Sequence, residues 1–377
     1  MSKACLILDQ NYADPDYLKT VNVSSYQTNF PITNCFLKNT RAKAWRSNGY
    51  WEVTSLNNKI VFSENGSTDL VASIAIANYT STSSFLAAIK SAMDLVGAAN
   101  YTVIQDSAKY IKITSDMTGG VSVFQLKCAD SQMSGFNTLV GLANFNKLGA
   151  TNYTCDFLRI HSYEYISFDF GLASKVNAVV LSSYNYNLMK ISPQAQIVLE
   201  GNSTSNFSNP EFTTNLTVNE FSASVISKNV LGYYRFWKIK IYDRSNPLGF
   251  IEVNNIFVGD AWAPAVGAVQ FPLDLGIDDN SSITRSEFGE VFASIKSRKE
   301  TFSFSYDFLS SADALRLKDI YLKFRKSRPM YFSFDSDDVY SSQPGEFIKY
   351  CTFENEPNIS LSSPGYFSSK ISLKEVA

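Results

Sequence analysis

A single histidine, His161, stands among 377 residues, and the five cysteines (Cys5, Cys35, Cys128, Cys155 and Cys351) are scattered and odd in number. One imidazole excludes a His-rich metal site. With no Cys pair at Cys-x-x-Cys spacing, neither tetrahedral zinc nor dithiol redox chemistry has its ligands. The cysteines read instead as buried free thiols of a protein made in a reducing cytosol. Excess charge of one sign is lacking too: 33 Lys and Arg against 35 Asp and Glu leave −2. No basic stripe marks a nucleic-acid partner. No apolar run approaches the ~18 residues of a membrane helix, and the patch Cys5-Leu-Ile-Leu8 is too short for a signal-peptide core. The expectation is cytosolic synthesis without membrane insertion. Asn-x-Ser/Thr triplets, as at Asn22 and Asn358, arise by chance in a chain rich in these residues and come with no secretory signal.

The signatures of catalysis are equally sparse. There is no Gly-x-Ser-x-Gly elbow, phosphate loop or dinucleotide fingerprint. The only imidazole base lies in Leu158-Arg-Ile-His-Ser-Tyr163, which reads as a strand. Asp335, Asp337 and Asp338 form the densest carboxylate cluster, but the Gly and Glu offsets of a calcium loop are missing. They read as a solvated turn, as do Asp274, Asp278 and Asp279. No spacing selects a glycosidase carboxylate pair from the 35 acids. The sequence therefore predicts no enzyme, no cofactor and no metal.

What is abundant is aromatic: 28 Phe and 21 Tyr in a chain that is 45% hydrophobic, among many Ser, Thr and Asn. That mixture favours strands and turns. A polar loop ending in Trp, Asn39-Thr-Arg-Ala-Lys-Ala-Trp45, is followed far downstream by Tyr165-Ile-Ser-Phe-Asp-Phe-Gly171 and Lys175-Val-Asn-Ala-Val-Val-Leu-Ser182. Gln196-Ile-Val-Leu-Glu-Gly201 and Tyr233-Tyr-Arg-Phe-Trp-Lys-Ile-Lys-Ile-Tyr242 come next. This order resembles the discoidin, or galactose-binding-like, jelly rolls, and implies a β-sandwich split into residues 1–55 and 151–262. Its closing strand would end at Gly259. The resemblance makes Trp45 a packing residue. Arg46 and Tyr50, and Tyr184, Tyr186 and Met189 in a loop at the sandwich tip, are the candidate ligand or partner contacts, because aromatics beside basic or amide groups suit sugar faces and protein hot spots alike.

Residues 56–150 read as a small α+β unit inserted into that sandwich. Thr82–Val96 is its helix, with an apolar stripe at Phe85, Leu86, Ile89, Met93 and Val96, capped by Thr82 or Ser83 and stopped at Gly97. Tyr101-Thr-Val-Ile and Tyr110-Ile-Lys-Ile-Thr alternate as a hairpin. With Ala77-Asn-Tyr79-Thr-Ser and Phe124-Gln-Leu126, these elements resemble a module of tailed-phage virion proteins. Residues 263–377 supply Ser281-Ser-Ile-Thr-Arg-Ser-Glu-Phe-Gly289, a strand Thr301–Phe308, a helix from Ser311 to Phe324 capped by Ser310 or Ser311, and Arg328-Pro-Met-Tyr-Phe-Ser-Phe-Asp335. Alternation predicts Phe302, Phe304, Tyr306 and Phe308 on one inward face.

That last order resembles the β-barrel-like region of distal tail and baseplate proteins of long-tailed phages. The fold class expected is thus mainly β and multi-domain: an interrupted jelly roll, an α+β insertion and a barrel-like C-terminal domain with one helix. The resemblance implies a structural protein of the virion tail, synthesised in the host cytoplasm. It would form a homo-oligomeric ring, six-fold by analogy, and contact tube, hub, tape-measure or receptor-binding proteins. The alternative is a carbohydrate-binding adhesin whose sandwich recognises a host-surface glycan, with a cell-wall-degrading enzyme third. Two expectations go with this organisation: removal of residues 57–150 leaves the remainder folded, and residues 265–377 self-associate alone.

Overall fold

The computed structural model describes residues 6–14, 16–36, 43–117, 124–182, 190–218, 222–226, 231–265, 269–279, 281–288, 290–294, 298–333 and 348–376. The fold is mainly β and multi-domain, 49% strand and 14% helix. Alternation builds its first layer. In the strand Glu164–Val176, Ile166, Phe168 and Phe170 are buried between the half-exposed Tyr165, Ser167 and Asp169. The strand pairs antiparallel with Gly232–Tyr242, which pairs in turn with Gln196–Asn202. Their inward Trp237, Ile239, Ile241, Ile197 and Leu199 meet Val179, Leu181, Ile256 and Val258 from the facing layer. Trp45 lies wholly within this core, its indole N–H donating to the Ser25 carbonyl at 3.0 Å.

The facing layer does not alternate, because both of its sides are covered. Along Ala178–Ser182 every residue is buried: Val179 and Leu181 enter the sandwich core, while Ala178 and Val180 pack with Leu8, Phe257, Ala261 and Tyr331. The N-terminal strand Leu6–Asn11 lies between Asn255–Trp262 and Met330–Ser333, pairing antiparallel with both. One hydrogen-bonded path of a 15-stranded sheet therefore runs from the sandwich into the C-terminal region. The closing strand does not end at Gly259 but continues to Trp262 against this partner. A Cβ at Gly259 would lie 1.7 Å from the Gln10 carbonyl oxygen, so the close approach beside the bulge between Leu8 and Gln10 requires glycine.

Beyond Met330–Ser333 the path continues through Ile348–Phe353, Tyr366–Glu375 and Arg298–Leu309 to an edge at Val269–Asp279. Phe302, Phe304 and Tyr306 are buried with Leu317, Phe332, Ile371 and the N-terminal Ile7. Phe304 stacks on Phe332 at 5.2 Å. Phe308 departs from the predicted alternation. The register slips between Tyr306 and Leu309, Phe308 takes φ +59°, and its ring is 56% exposed while Leu309 fills the core. Tyr331 and Phe332 face opposite sides and both are buried; Phe334 lies outside the described residues. Helix Ser311–Phe324 is capped by Ser310, whose hydroxyl accepts from Asp313 N.

The inserted unit keeps a core of its own. Every buried member of that cluster falls between Trp51 and Cys155, wider at both ends than 56–150. Trp51 stacks on Phe85 of helix Thr82–Val96 at 4.4 Å. The helix is capped one residue before the predicted candidates, by Ser81 accepting from Ser84 N. Its apolar stripe ends at Met93, since Val96 is exposed. A second, short helix, Ser134–Val140, was not legible in the sequence; Gly141 in a left-handed conformation closes it.

Candidate functional site

The sandwich-tip residues Tyr184, Tyr186 and Met189 lie outside the described residues. Arg46 and Tyr50, the other two candidate contacts, are engaged internally. Arg46 pairs with Glu252 across the strands Trp45–Arg46 and Glu252–Val253, and its guanidinium is held between the rings of Phe30 (3.9 Å) and Phe250 (4.2 Å). Tyr50 is only 3% exposed, so its ring packs and presents no surface contact. The missed signal for Arg46 is the spacing of Phe250 and Glu252, which points both side chains to one face of their short strand.

Tyr50 lies in the neck where the chain leaves the sandwich for the insertion. The outgoing and returning chains are joined there by Ser162 N to Tyr50 O (2.8 Å) and Glu52 N to Ser162 Oγ (3.0 Å). Beneath them Glu164 is wholly buried. It accepts from Ser24 Oγ, from Ser25 Oγ at 2.8 Å and from Tyr50 N at 2.9 Å. Burial outweighs these bonds and pushes its carboxyl up to about 7. Gly49 at the same neck has φ +85°, and a Cβ there would meet Thr82 Oγ1 at 2.3 Å. His161, expected on a strand, belongs to none and is fully buried beside the neck. Burial and the nearby Arg244 push it down to about 3. Among the described residues no Ser or Cys side chain hydrogen-bonds to it, so a nucleophile–base pair is not assembled at this imidazole.

A cleft of about 140 Å³ opens at the seam between the sandwich and the C-terminal region. Asp9, Tyr17, Phe36, Lys323, Arg328 and Tyr350 are among its walls. Asp9 is 2% exposed and forms an ion pair with Arg316 of helix Ser311–Phe324. Its Oδ1 is buried without a hydrogen-bond partner. Burial pushes this carboxyl up to about 6 against the opposing pull of Arg316 and Lys323. The Lys323 ammonium donates to Gln10 Oε1 at 2.9 Å and lies over the Tyr17 and Phe324 rings. Cys35 also lines the cleft, but burial pushes its thiol up to about 12. It stays protonated and donates to Val253 O, which makes it a poor nucleophile. The cleft thus holds charges that clamp two regions together, without an activated nucleophile among the described residues.

Among the described residues the carboxylates considered as cation ligands do not converge. Asp278 pairs with Lys374, Asp335, Asp337 and Asp338 lie outside the described residues, and no group of three potential metal ligands forms among the described residues.

The C-terminal region carries an exposed arm. Val269–Asp279 and Arg298–Leu309 pair as a long hairpin, carried further by Ser282–Arg285 paired with Val291–Ser294. Every residue of those last two strands is exposed, including Ile283, Val291 and Phe292, and Phe288 at the turn is 94% exposed. Leu275 and Ile277 extend the apolar surface along the sheet edge. Phe288 and Phe292 were visible in the sequence, but only pairing without a covering layer reveals their exposure.

No protein-family model matches the chain, and no curated protein matches it.

Proposed function

We propose that this chain is a structural, self-assembling component of a long-tailed phage virion, located in the tail tip or baseplate. The exposed apolar arm carries the reading. A two-stranded ribbon is marginally stable in water by itself, and an apolar surface at an open sheet edge marks a site of contact with other chains. The C-terminal region, with its arm and edge strand, would make the contacts between copies. The sandwich and its insertion, joined to it on the other side of the N-terminal strand, would be displayed outward. Partners are then further copies of this chain in a closed ring, six-fold by analogy, and the tail proteins above and below it; the location is the virion after synthesis in the host cytoplasm. Negative-stain imaging of the purified full-length protein tests this. Closed rings of uniform size are the expected result, and a field of single 42.0 kDa particles at every concentration would overturn it.

A further inference from the structure

Helix Ser311–Phe324 is apolar on two sides, and this chain uses only one of them. Ala314, Leu317 and Ile320 recur at helical spacing and are buried against the sheet with Phe302 and Phe304. Leu315 and Leu322 point the other way and are 62% and 52% exposed. At about 1.5 Å of rise per residue they stand roughly 10 Å apart on one outer face. Lys318, Arg325 and Lys326 around them are exposed, and none makes an ion pair among the described residues. Folding of the single chain requires neither the leucines nor their basic frame.

The turn of the arm is the complement of that surface. Phe288 is 94% exposed at its tip. Glu287 and Glu290 flank it, both exposed and both without an ion pair among the described residues. Behind the turn, register places Ile283 and Val291 on one side of the ribbon and Phe292 on the other. Each surface also holds one charge of the minority sign. Arg285 against Glu287 and Glu290 leaves the turn at −1, and Asp319 against Lys318, Arg325 and Lys326 leaves the helix face at +2.

We propose that the turn of one copy docks on the outer face of helix Ser311–Phe324 of the next copy, Phe288 against Leu315 and Leu322, with Glu287 and Glu290 facing the basic frame. This inference rests on the assembly reading and names the surface that receives the arm. The turn does not reach the helix of its own chain. The sheet lies under the inner side of that helix, and the arm continues the sheet past Thr301, where strand Tyr366–Glu375 stops pairing with it. At about 3.3 Å per residue the turn stands more than about 20 Å along the ribbon from Phe302, on the side opposite the exposed leucines. Two different patches meet, so every copy gives one turn and receives another. Such a head-to-tail contact closes into a ring when its rotation allows. An apolar centre within a rim of opposite charges supplies adhesion and register together.

The test is sedimentation velocity on the full-length protein and two charge-reversed variants, Glu287→Lys with Glu290→Lys and Lys318→Glu with Lys326→Glu. All four side chains are exposed, so the melting temperature should not move. Either variant alone should need about tenfold or more concentration to assemble. An equimolar mixture should assemble like the parent, because each reversed turn then meets a reversed helix face and each native turn a native one. Leu322→Ser reads the same face without a change of charge and should also weaken assembly about tenfold. A parent that assembles while the helix variant and Leu322→Ser do so equally well would overturn the docking site and leave the assembly reading standing. Folded variants whose mixture stays as weak as either alone would overturn it too. A parent that is monomeric at every concentration would sink the assembly reading and this contact with it.

Discussion

The inserted unit and the C-terminal region solve the same problem, burying a small β-rich core, in opposite ways. The insertion draws every buried residue of its core from one contiguous segment, Trp51 to Cys155, and meets the sandwich through a hydrogen-bonded neck. The C-terminal region takes Ile7 from the other end of the chain and shares its sheet with the sandwich through Leu6–Asn11. Position in the sequence is therefore a poor guide to independence: the segment in the middle is the self-contained one. This difference revises one expectation. A fragment of residues 265–377 lacks one of the two strands that pair with Met330–Ser333, so self-association has to be measured on the full chain.

The largest effect that would break this contrast comes from truncation. Removing residues 1–11 should abolish cooperative folding of the C-terminal region, followed by circular dichroism melting, because it opens two strand edges and empties Ile7 and Leu8 from two cores. Excising residues 51–161 should do the reverse. Tyr50 O and Ser162 N lie 2.8 Å apart, so a Gly/Ser linker of about three residues can close the gap. The remainder should melt cooperatively within a few degrees of the parent. An excised protein that fails to fold would show that the insertion and sandwich share their stability. The narrower cut at 57–150 is the wrong one, since it strands Trp51, Val53 and Cys155 without their partners.

Single substitutions sharpen the same contrast. Ile7→Ala and Ile89→Ala each remove a fully buried side chain and should cost roughly 2–5 kcal/mol. Ile7→Ala should lower the transition shared by sandwich and C-terminal region. Ile89→Ala should lower only that of the insertion, and calorimetry resolves the two.

Glu164, at the neck, titrates between these effects. The folded state holds its proton up to about pH 7, whereas the unfolded chain has released it above its ordinary value of 4.5. Its contribution is thus complete below about pH 4.5 and is lost as pH rises to about 7, roughly 1–3 kcal/mol over the window. Asp9 acts in the same sense between 3.8 and about 6. His161 acts in the opposite sense: burial favours its neutral form, so its contribution is lost as pH falls from 6.5 toward about 3. Glu164→Gln cannot titrate, and the difference between its denaturation profile and that of the parent should flatten above pH 7; a difference independent of pH would contradict the assignment. The smallest effect is expected at Arg46→Ala, about 1 kcal/mol for the loss of ring contacts and a partly exposed ion pair.

Much of this architecture was legible because alternation and helical periodicity report burial directly, as in Glu164–Val176 and Thr82–Val96. The errors have local causes. Phe308 was assigned inward because a bulge leaves no mark in a strand of alternating Phe and Ser. The strand Ala178–Ser182 hides its two-sided burial, since a run of valines does not say what covers each face. Arg46 read as a contact because its partners Phe30, Phe250 and Glu252 are distant in sequence.

The contrast between a closed insertion and an open C-terminal arm is tested most directly by light scattering of the full-length protein over a range of concentrations, beside an Ile283→Ser, Phe288→Ser, Phe292→Ser variant. These three side chains lie on the exposed ribbon, so the substitutions should leave the melting temperature unchanged. The account predicts a ring-sized oligomer for the parent and a smaller species for the variant. A parent that is monomeric at every concentration, or a variant that assembles as fully as the parent, would contradict it.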